Sequence, residues 1–368
     1  MSDVVTAVTI RRQAFSGLFD LSQGHGLEIG PLAAPLVTAE LGDVSYLDLD
    51  SREALAAQYA DEPSVDCDAI PGIDYWLKSD DGIQPLSAAV AVGAPFDWVV
   101  ASHVVEHVPD LIGWFREVGE ILVDGGSVLL VVPDRRFCFD IHRPPTTVGQ
   151  VLQAHEDGDR VPSVRAVYDH HRSCVVVQAH EAWAGQVPGT DQRMYSLEKV
   201  QDAVRSARNG EYVDSHVWTF TPRSFVAALE DLGLLVQLDF TIEVILPTGR
   251  DQLEFYVSLT RIPRDTAPDA AAQLRADTVG RALAMLPDES QTAYEQAAAV
   301  AHRSTEDALG LALHRQREGE ARVEELTAEL ASTRERLHAV LASERWRAGG
   351  LVVTPLSAAR RLLLRRHR

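Results

Sequence analysis

Residues 96–134, FDWVVASHVVEHVPDLIGWFREVGEILVDGGSVLLVVPD, read as strand, polar turn, amphipathic helix and strand in direct succession. Phe96 to Ala101 is an apolar run entering the turn SHVVEHV. Between Leu111 and Leu122 the apolar residues Leu111, Phe115, Val118, Ile121 and Leu122 share one helical face, and Gly125-Gly126 is expected to end the helix. Ser127 to Val132 is then uniformly apolar, as a parallel strand covered on both faces must be. A strand–helix–strand unit of this kind needs parallel neighbours, so the chain predicts an α/β fold. The same alternation runs from about Leu27 to Ile262. Leu27 to Ile29 forms a strand ending at Gly30, and Val44 to Leu47 a second. Regular order after residue 216 resumes at Val217 to Phe220. Thr221-Pro222 fits a helix cap with proline at the first helical position, and Gly233 follows the buried stripe. Leu234 to Ile245 and Phe255 to Ile262, separated by PTGRDQ, predict a terminal antiparallel hairpin.

Charge narrows the function. With 54 acids against 34 bases the formal net charge is −20, so a general grip on nucleic-acid phosphates is excluded. Three cysteines, Cys67, Cys138 and Cys174, without a C-x-x-C pair, argue against a disulfide framework or zinc knuckle and for a reducing compartment. The sequence shows neither a signal-peptide pattern nor about 18 uncharged apolar residues in a row, and it reads as a cytoplasmic protein. Residues 134–216, rich in His, Arg, Asp and Pro, are too long for a plain connection and predict an insertion or substrate lid.

LEIGPLAAPLV places Glu28 two residues before Gly30 at a strand end, where backbone amides of a tight turn face a ligand. Asp48 in YLDLD stands at the second strand end, where a carboxylate accepts ribose hydroxyls. The plainer alternative makes Gly30 a turn residue and Asp48 or Asp50 a helix cap. A dinucleotide domain needs G-x-G-x-x-G, and here Pro31, Leu32 and Ala34 follow Gly30, so a ribose without a pyrophosphate fits better.

On LEIGP, YLDLD, SDDGIQPL, the 96–134 block and HVWTFTPRSFVAALEDLG, residues 10–262 resemble the class I S-adenosylmethionine-dependent methyltransferases, especially the branch associated with glycan and polysaccharide assembly. The resemblance implies a Rossmann-like, mostly parallel seven-stranded sheet with a terminal antiparallel hairpin, and S-adenosylmethionine as cofactor. It further implies that Glu28, Gly30 and Asp48 hold the methionine and ribose side, that Asp81, Gly82 and Ile83 lie at the adenine, and that Ala101, Ser102 and His103 line the methyl end. The glycine-rich loop departs from the family pattern at Leu32 and Ala34. Methyl transfer is an in-line displacement that rests on positioning and a base for the acceptor's proton. If the acceptor is a hydroxyl, His103 and His107, directly after the third strand, are the candidates, since histidine titrates near neutrality; a cap or packing role for His107 is the alternative. Asp169, His170, His171, His180, Glu181 and His216 in the insertion read as polar residues of a lid in preference to a metal site. The expected acceptor is a sugar hydroxyl of a glycan or its precursor; the rival reading is a non-catalytic scaffold for glycan-assembly partners.

Beyond 262 a helical linker (263–304) leads to a coiled-coil-like helix (305–345). Val323, Leu326, Leu330, Thr333, Leu337 and Val340 are spaced 3, 4, 3, 4, 3. Residues 346–368 carry six arginines and no acid. The helix suits either a homodimer seam or packing on the domain, and the tail an anionic membrane surface, an acidic partner or the chain's own acidic body.

Overall fold

Leu27, Val99, Val100, Leu129 and Leu130 are fully buried, which is what apolar strands in the middle of a doubly covered sheet require. The computed structural model describes residues 2–63, 65–80, 82–189, 191–289, 316–317 and 319–339. The strands are β1 (His25–Ile29), β2 (Asp43–Asp48), β3 (Tyr75–Trp76), β4 (Lys78–Ser79), β5 (Gly82–Ile83), β6 (Phe96–Ser102), β7 (Leu122–Pro133), β8 (Phe240–Leu246) and β9 (Glu254–Arg261). The helices are α1 (Ser2–Ser16), α2 (Arg52–Gln58), α3 (Leu86–Ala89), α4 (Leu111–Ile121), α5 (Val148–Asp157), α6 (Val164–Ser173), α7 (Ala179–Trp183), α8 (Leu197–Arg208), α9 (Pro222–Leu235) and α10 (Pro268–Met285). Seven strands form one sheet in the order β3-β2-β1-β6-β7-β9-β8. It is parallel as far as β7, and β9 runs antiparallel to both β7 and β8. The expected Rossmann-like sheet with its reversed terminal pair is therefore present.

Local details differ from the sequence reading. Helix α4 starts where Asp110 accepts the Gly113 amide at 2.9 Å, but it ends at Ile121; Gly125-Gly126 lie within β7, which begins at once with buried Leu122. Helix α9 runs through Gly233 to Leu235, so the hairpin's first strand starts at Phe240 and not at Leu234, whose side chain is exposed. Of residues 217–220 only Phe220 pairs in strand fashion, with Asp134.

The insertion is folded. Thr147, Ser163 and Ser196 each cap a helix by accepting the amide three residues on, α6 packs on α8, and Phe137 stacks on Trp183 with centroids 4.0 Å apart. Trp183 Nε1 donates to Gln252 O at 2.8 Å, which ties the insertion to the hairpin turn.

The stretch assigned to a linker is a correction too. Helix α10 packs on β8 and α9, with Val279, Ala282 and Leu286 in the main core, because Thr278 Oγ1 accepts the Ile242 amide and leads the helix along the sheet edge. Residues Met1–Ala297 form one compact unit and Ala298–Arg368 a second. In the second, residues 319–339 are helical, with Val323, Leu326, Leu330 and Leu337 exposed. The arginine-rich tail lies outside the described residues. Among the described residues no helix is long and apolar enough to cross a membrane.

Candidate active site

Register places the site. Ile29 pairs with Leu47 on one side and Ala101 on the other, so Gly30, Asp48 and Ser102 emerge together at the carboxyl edge of the parallel strands, where α/β sheets bind ligands. Gly30 has φ +68°, and a Cβ there would stand 3.0 Å from Val104 Cγ2, so the tight turn requires glycine. The amides of Leu49 and Leu32 donate to Asp48 Oδ1 and Oδ2 at 2.7 and 3.2 Å. Leu32 takes φ +41° at that contact. Burial raises the Asp48 pKa, against the pull of these two amides. Ser51 caps α2 and Asp50 pairs with Lys78 at 2.8 Å, so Asp48 is not a helix cap.

A cavity of about 420 Å³ opens at this edge. Gly30, Asp48, Leu49, Ile83, Leu86, His107, Val108 and Asp110 line it, with Gly158, Asp159, Arg160 and Tyr212 from the insertion. Four of the expected residues, Gly30, Asp48, Ile83 and His107, thus line one cavity. Others do not. Glu28 accepts the Leu36 and Val37 amides at 2.7 and 2.9 Å, and burial lifts its pKa to about 7 even so. Its expected place against the cofactor is corrected: it braces the loop from beneath. Ala101 is buried inside β6, and Gly82 and Ser102 stand off the cavity wall, Ser102 with an unpartnered buried Oγ. Asp81 lies outside the described residues.

His103 also departs from expectation. It sits in the left-handed region, φ +56°, outside the cavity lining, with Nε2 2.6 Å from Glu254 Oε2 and Nδ1 3.3 Å from Glu106 Oε1. Burial opposes its charge, but Glu106 and Glu254 outweigh that and raise its pKa to about 9. An imidazolium held between two carboxylates accepts no further proton, so His103 is not suited to be the base. Arg11 grips Glu254 through Nε and Nη2 at 2.8 and 2.6 Å; burial alone would raise the Glu254 pKa, and His103 and Arg11 bring it down to about 2.

His107 is different. It faces the cavity, its Nδ1 is 2.8 Å from Asp214 Oδ1, and its pKa is raised because Asp214 and Glu106 outweigh burial. Tyr212 donates to the same Asp214 oxygen at 3.3 Å. Of the six polar residues singled out in the insertion, only His216 reaches this cluster. Asp169 pairs with Arg165, Glu181 accepts the Gln178 amide, and His171 Nδ1 bonds Val167 O. Buried His170 is driven down to about 3 by desolvation. Glu254, Arg11, Tyr212 and Asp214 were not anticipated. Pairing of β9 against β7 sets Glu254 opposite Pro133, at the edge where β6 delivers His103.

A reversed last strand beside a nucleoside-sized cavity, with a half-buried carboxylate at the β2 end, defines a Rossmann-like methyltransferase fold. A family model described as a methyltransferase domain matches residues 46–238, just over half of the chain, and the chain belongs to that family. It is accordingly an enzyme of the methyltransferase class. No curated protein matches the chain. Among solved structures it is similar to an S-adenosylmethionine-dependent methyltransferase from Mesorhizobium loti (15% identity, 68% of this chain and 96% of that one, TM-score 0.34). It is also similar to a SAM-dependent methyltransferase from Methanosarcina mazei (16%, 68% and 98%, TM-score 0.33) and the glycopeptide N-methyltransferase MtfA (16%, 70% and 90%, TM-score 0.34).

Proposed function

We propose that this enzyme transfers a methyl group from S-adenosylmethionine to a hydroxyl on a sugar of a glycan or glycan precursor. The cavity volume falls within the ~300–1,000 Å³ of small-molecule sites, and its chemistry fits the donor. Asp48 offers carboxylate oxygens to a ribose, the Gly30 turn admits close backbone approach, and Leu49, Ile83 and Leu86 supply apolar cover for a purine. When bound, the donor supplies an electrophilic methyl on a sulfonium. The chain's own task is to orient the acceptor and remove its proton, and the His107–Asp214 pair is the group placed to do so. That pair, with His107 in the cavity wall and Asp214 behind it, is the observation that carries the reading. Labelled donor incubated with glycan and lipid-linked fractions tests it: label in the sugar supports the reading, whereas label on nitrogen or on none of these fractions overturns the acceptor class.

The C-terminal unit belongs to the same proposal. The exposed apolar face Val323, Leu326, Leu330 and Leu337 pairs with a second copy, and the six arginines beyond it bind an anionic membrane from the cytoplasmic side. Sedimentation with anionic vesicles at low and high salt checks this. Release at high salt is expected, and indifference at every salt would reassign the tail.

A further inference from the structure

Glu106 is 1% exposed, and neither of its carboxylate oxygens has a hydrogen-bond partner. A buried carboxylate in that state costs several kcal/mol unless charge is brought to it. Three imidazoles surround it: His103 on the β9 side, His107 on the cavity side and His216 from the end of the insertion. His103 is shared between Glu254 at 2.6 Å and Glu106 Oε1 at 3.3 Å, and the other two are arranged differently. His216 Nδ1 is 2.5 Å from Asp140 Oδ2, and Asp140 is itself held by Arg143 at 2.8 Å. With Nδ1 turned to Asp140, Nε2 is the ring nitrogen facing Glu106, 4.0 Å from Oε1. His107 has its own carboxylate, Asp214, at 2.8 Å. A histidine backed by a carboxylate is the usual support of a metal ligand, and here it occurs twice.

We infer that Glu106, His107 and His216 form a binding site for a divalent transition-metal cation. Their donor atoms all lie within 4.8 Å of one another, and an ion with bonds of about 2.1 Å would draw them to about 3.4 Å. Two imidazoles and one carboxylate suit zinc or iron(II), not calcium or magnesium, and leave coordination positions open toward the cavity that His107 lines. The neighbouring cluster of Asp140, His170 and Cys174 is the support and not a second site: Asp140 is taken by Arg143 and His216, and His170 Nδ1 accepts the His216 amide at 3.2 Å. The segment 216–218 is locked in place because Val217 N donates to Glu106 O at 2.6 Å and Trp218 Nε1 to Val108 O at 2.7 Å. A cation there would take an acceptor oxygen and lower the pKa of its hydroxyl, whose proton would leave to water in the open cavity, and His107 would then serve as a ligand in place of the base role proposed above. This consequence rests on the methyltransferase reading, whereas the cation site itself does not.

The test is calorimetric titration of zinc chloride into the chelator-treated full chain, with S-adenosylmethionine titrated in parallel. One zinc per chain at micromolar or tighter Kd is expected, weakened at least tenfold in Glu106→Gln and in His216→Ala and unchanged in His142→Ala, an exposed histidine elsewhere in the insertion. Glu106→Gln keeps the side chain's shape and decides the matter if His216→Ala does not fold. Cobalt(II) should give visible absorption bands in the wild type that Glu106→Gln lacks. Zinc binding without donor binding would sink the methyltransferase reading and leave the site standing. A wild type that takes no zinc, or a Glu106→Gln variant that binds it equally well, overturns the site.

Discussion

On one side of the site Gly30, Asp48 and Leu49 line the cavity and, with Leu32 behind them, lie within 20 residues of chain, Asp48 tied to Leu32 and Leu49 by backbone amides. On the other side, His103, behind the cavity lining, meets Glu254 across 151 residues, and His107 meets Asp214 through charge and His216 ring to ring. In the proposed function the first side recognises a donor through shape and fixed amides. The second is where the proposal puts acid–base work, since clustered charges are what move pKa values. Each wall should consequently fail in its own way.

The largest expected effect is on the second wall. Replacing His107 with alanine should lower kcat roughly 10²- to 10⁴-fold while donor Kd stays within about threefold. Single-turnover kinetics beside donor calorimetry will show the split, and a matching loss of affinity would erase the distinction between the walls. On the first wall Asp48→Ala should weaken donor binding roughly 5- to 150-fold, since ribose hydroxyls left unpaired cost about 1–3 kcal/mol.

Glu28→Gln probes the same wall from beneath. Glutamine keeps one acceptor for two amides, so the fold should lose about 1–3 kcal/mol, and donor affinity should fall with it as the 31–37 loop loosens. Thermal unfolding with and without donor measures both. The smallest effect is a pH signature of the charged wall. The folded pKa of His103 is raised to about 9 from 6.5, so its contribution is complete below about pH 6.5 and is lost as pH rises toward 9. Glu254 is depressed to about 2 from 4.5, so its contribution is present above about pH 4.5 and fades below it. With His103 about a quarter exposed, screening leaves of order 1–2 kcal/mol over the alkaline window. The alkaline fall in Tm should be flatter in His103→Gln, and an unchanged slope would remove His103 from the charge network.

Much of the donor wall was legible. LEIGP and YLDLD announce two strand ends by composition alone, and parallel pairing of neighbouring strands brings Gly30 and Asp48 together with no long-range information. Glu28 was legible as an acid at a strand end but not as a brace. The direction of its side chain depends on where Leu36 and Val37 return, which residue spacing does not specify. His107 and His103, four apart, looked equivalent, and only the positive φ at His103 and the arrival of β9 separate them.

The sequence by itself determined the class of the protein: apolar runs of strand length, helical spacing between them and a terminal hairpin admit one sheet architecture, because each element must bury its apolar face against its neighbours. What only the tertiary structure decided is the charged cluster. Glu254 stands opposite His103 because a reversed strand delivers its first residue to the edge where parallel strands deliver their last, and His216 meets Glu106 because a folded insertion of some eighty residues returns to the turn after β6. Such meetings arise from strand direction and from packing between distant segments, and neither leaves a periodic mark in the residues that take part.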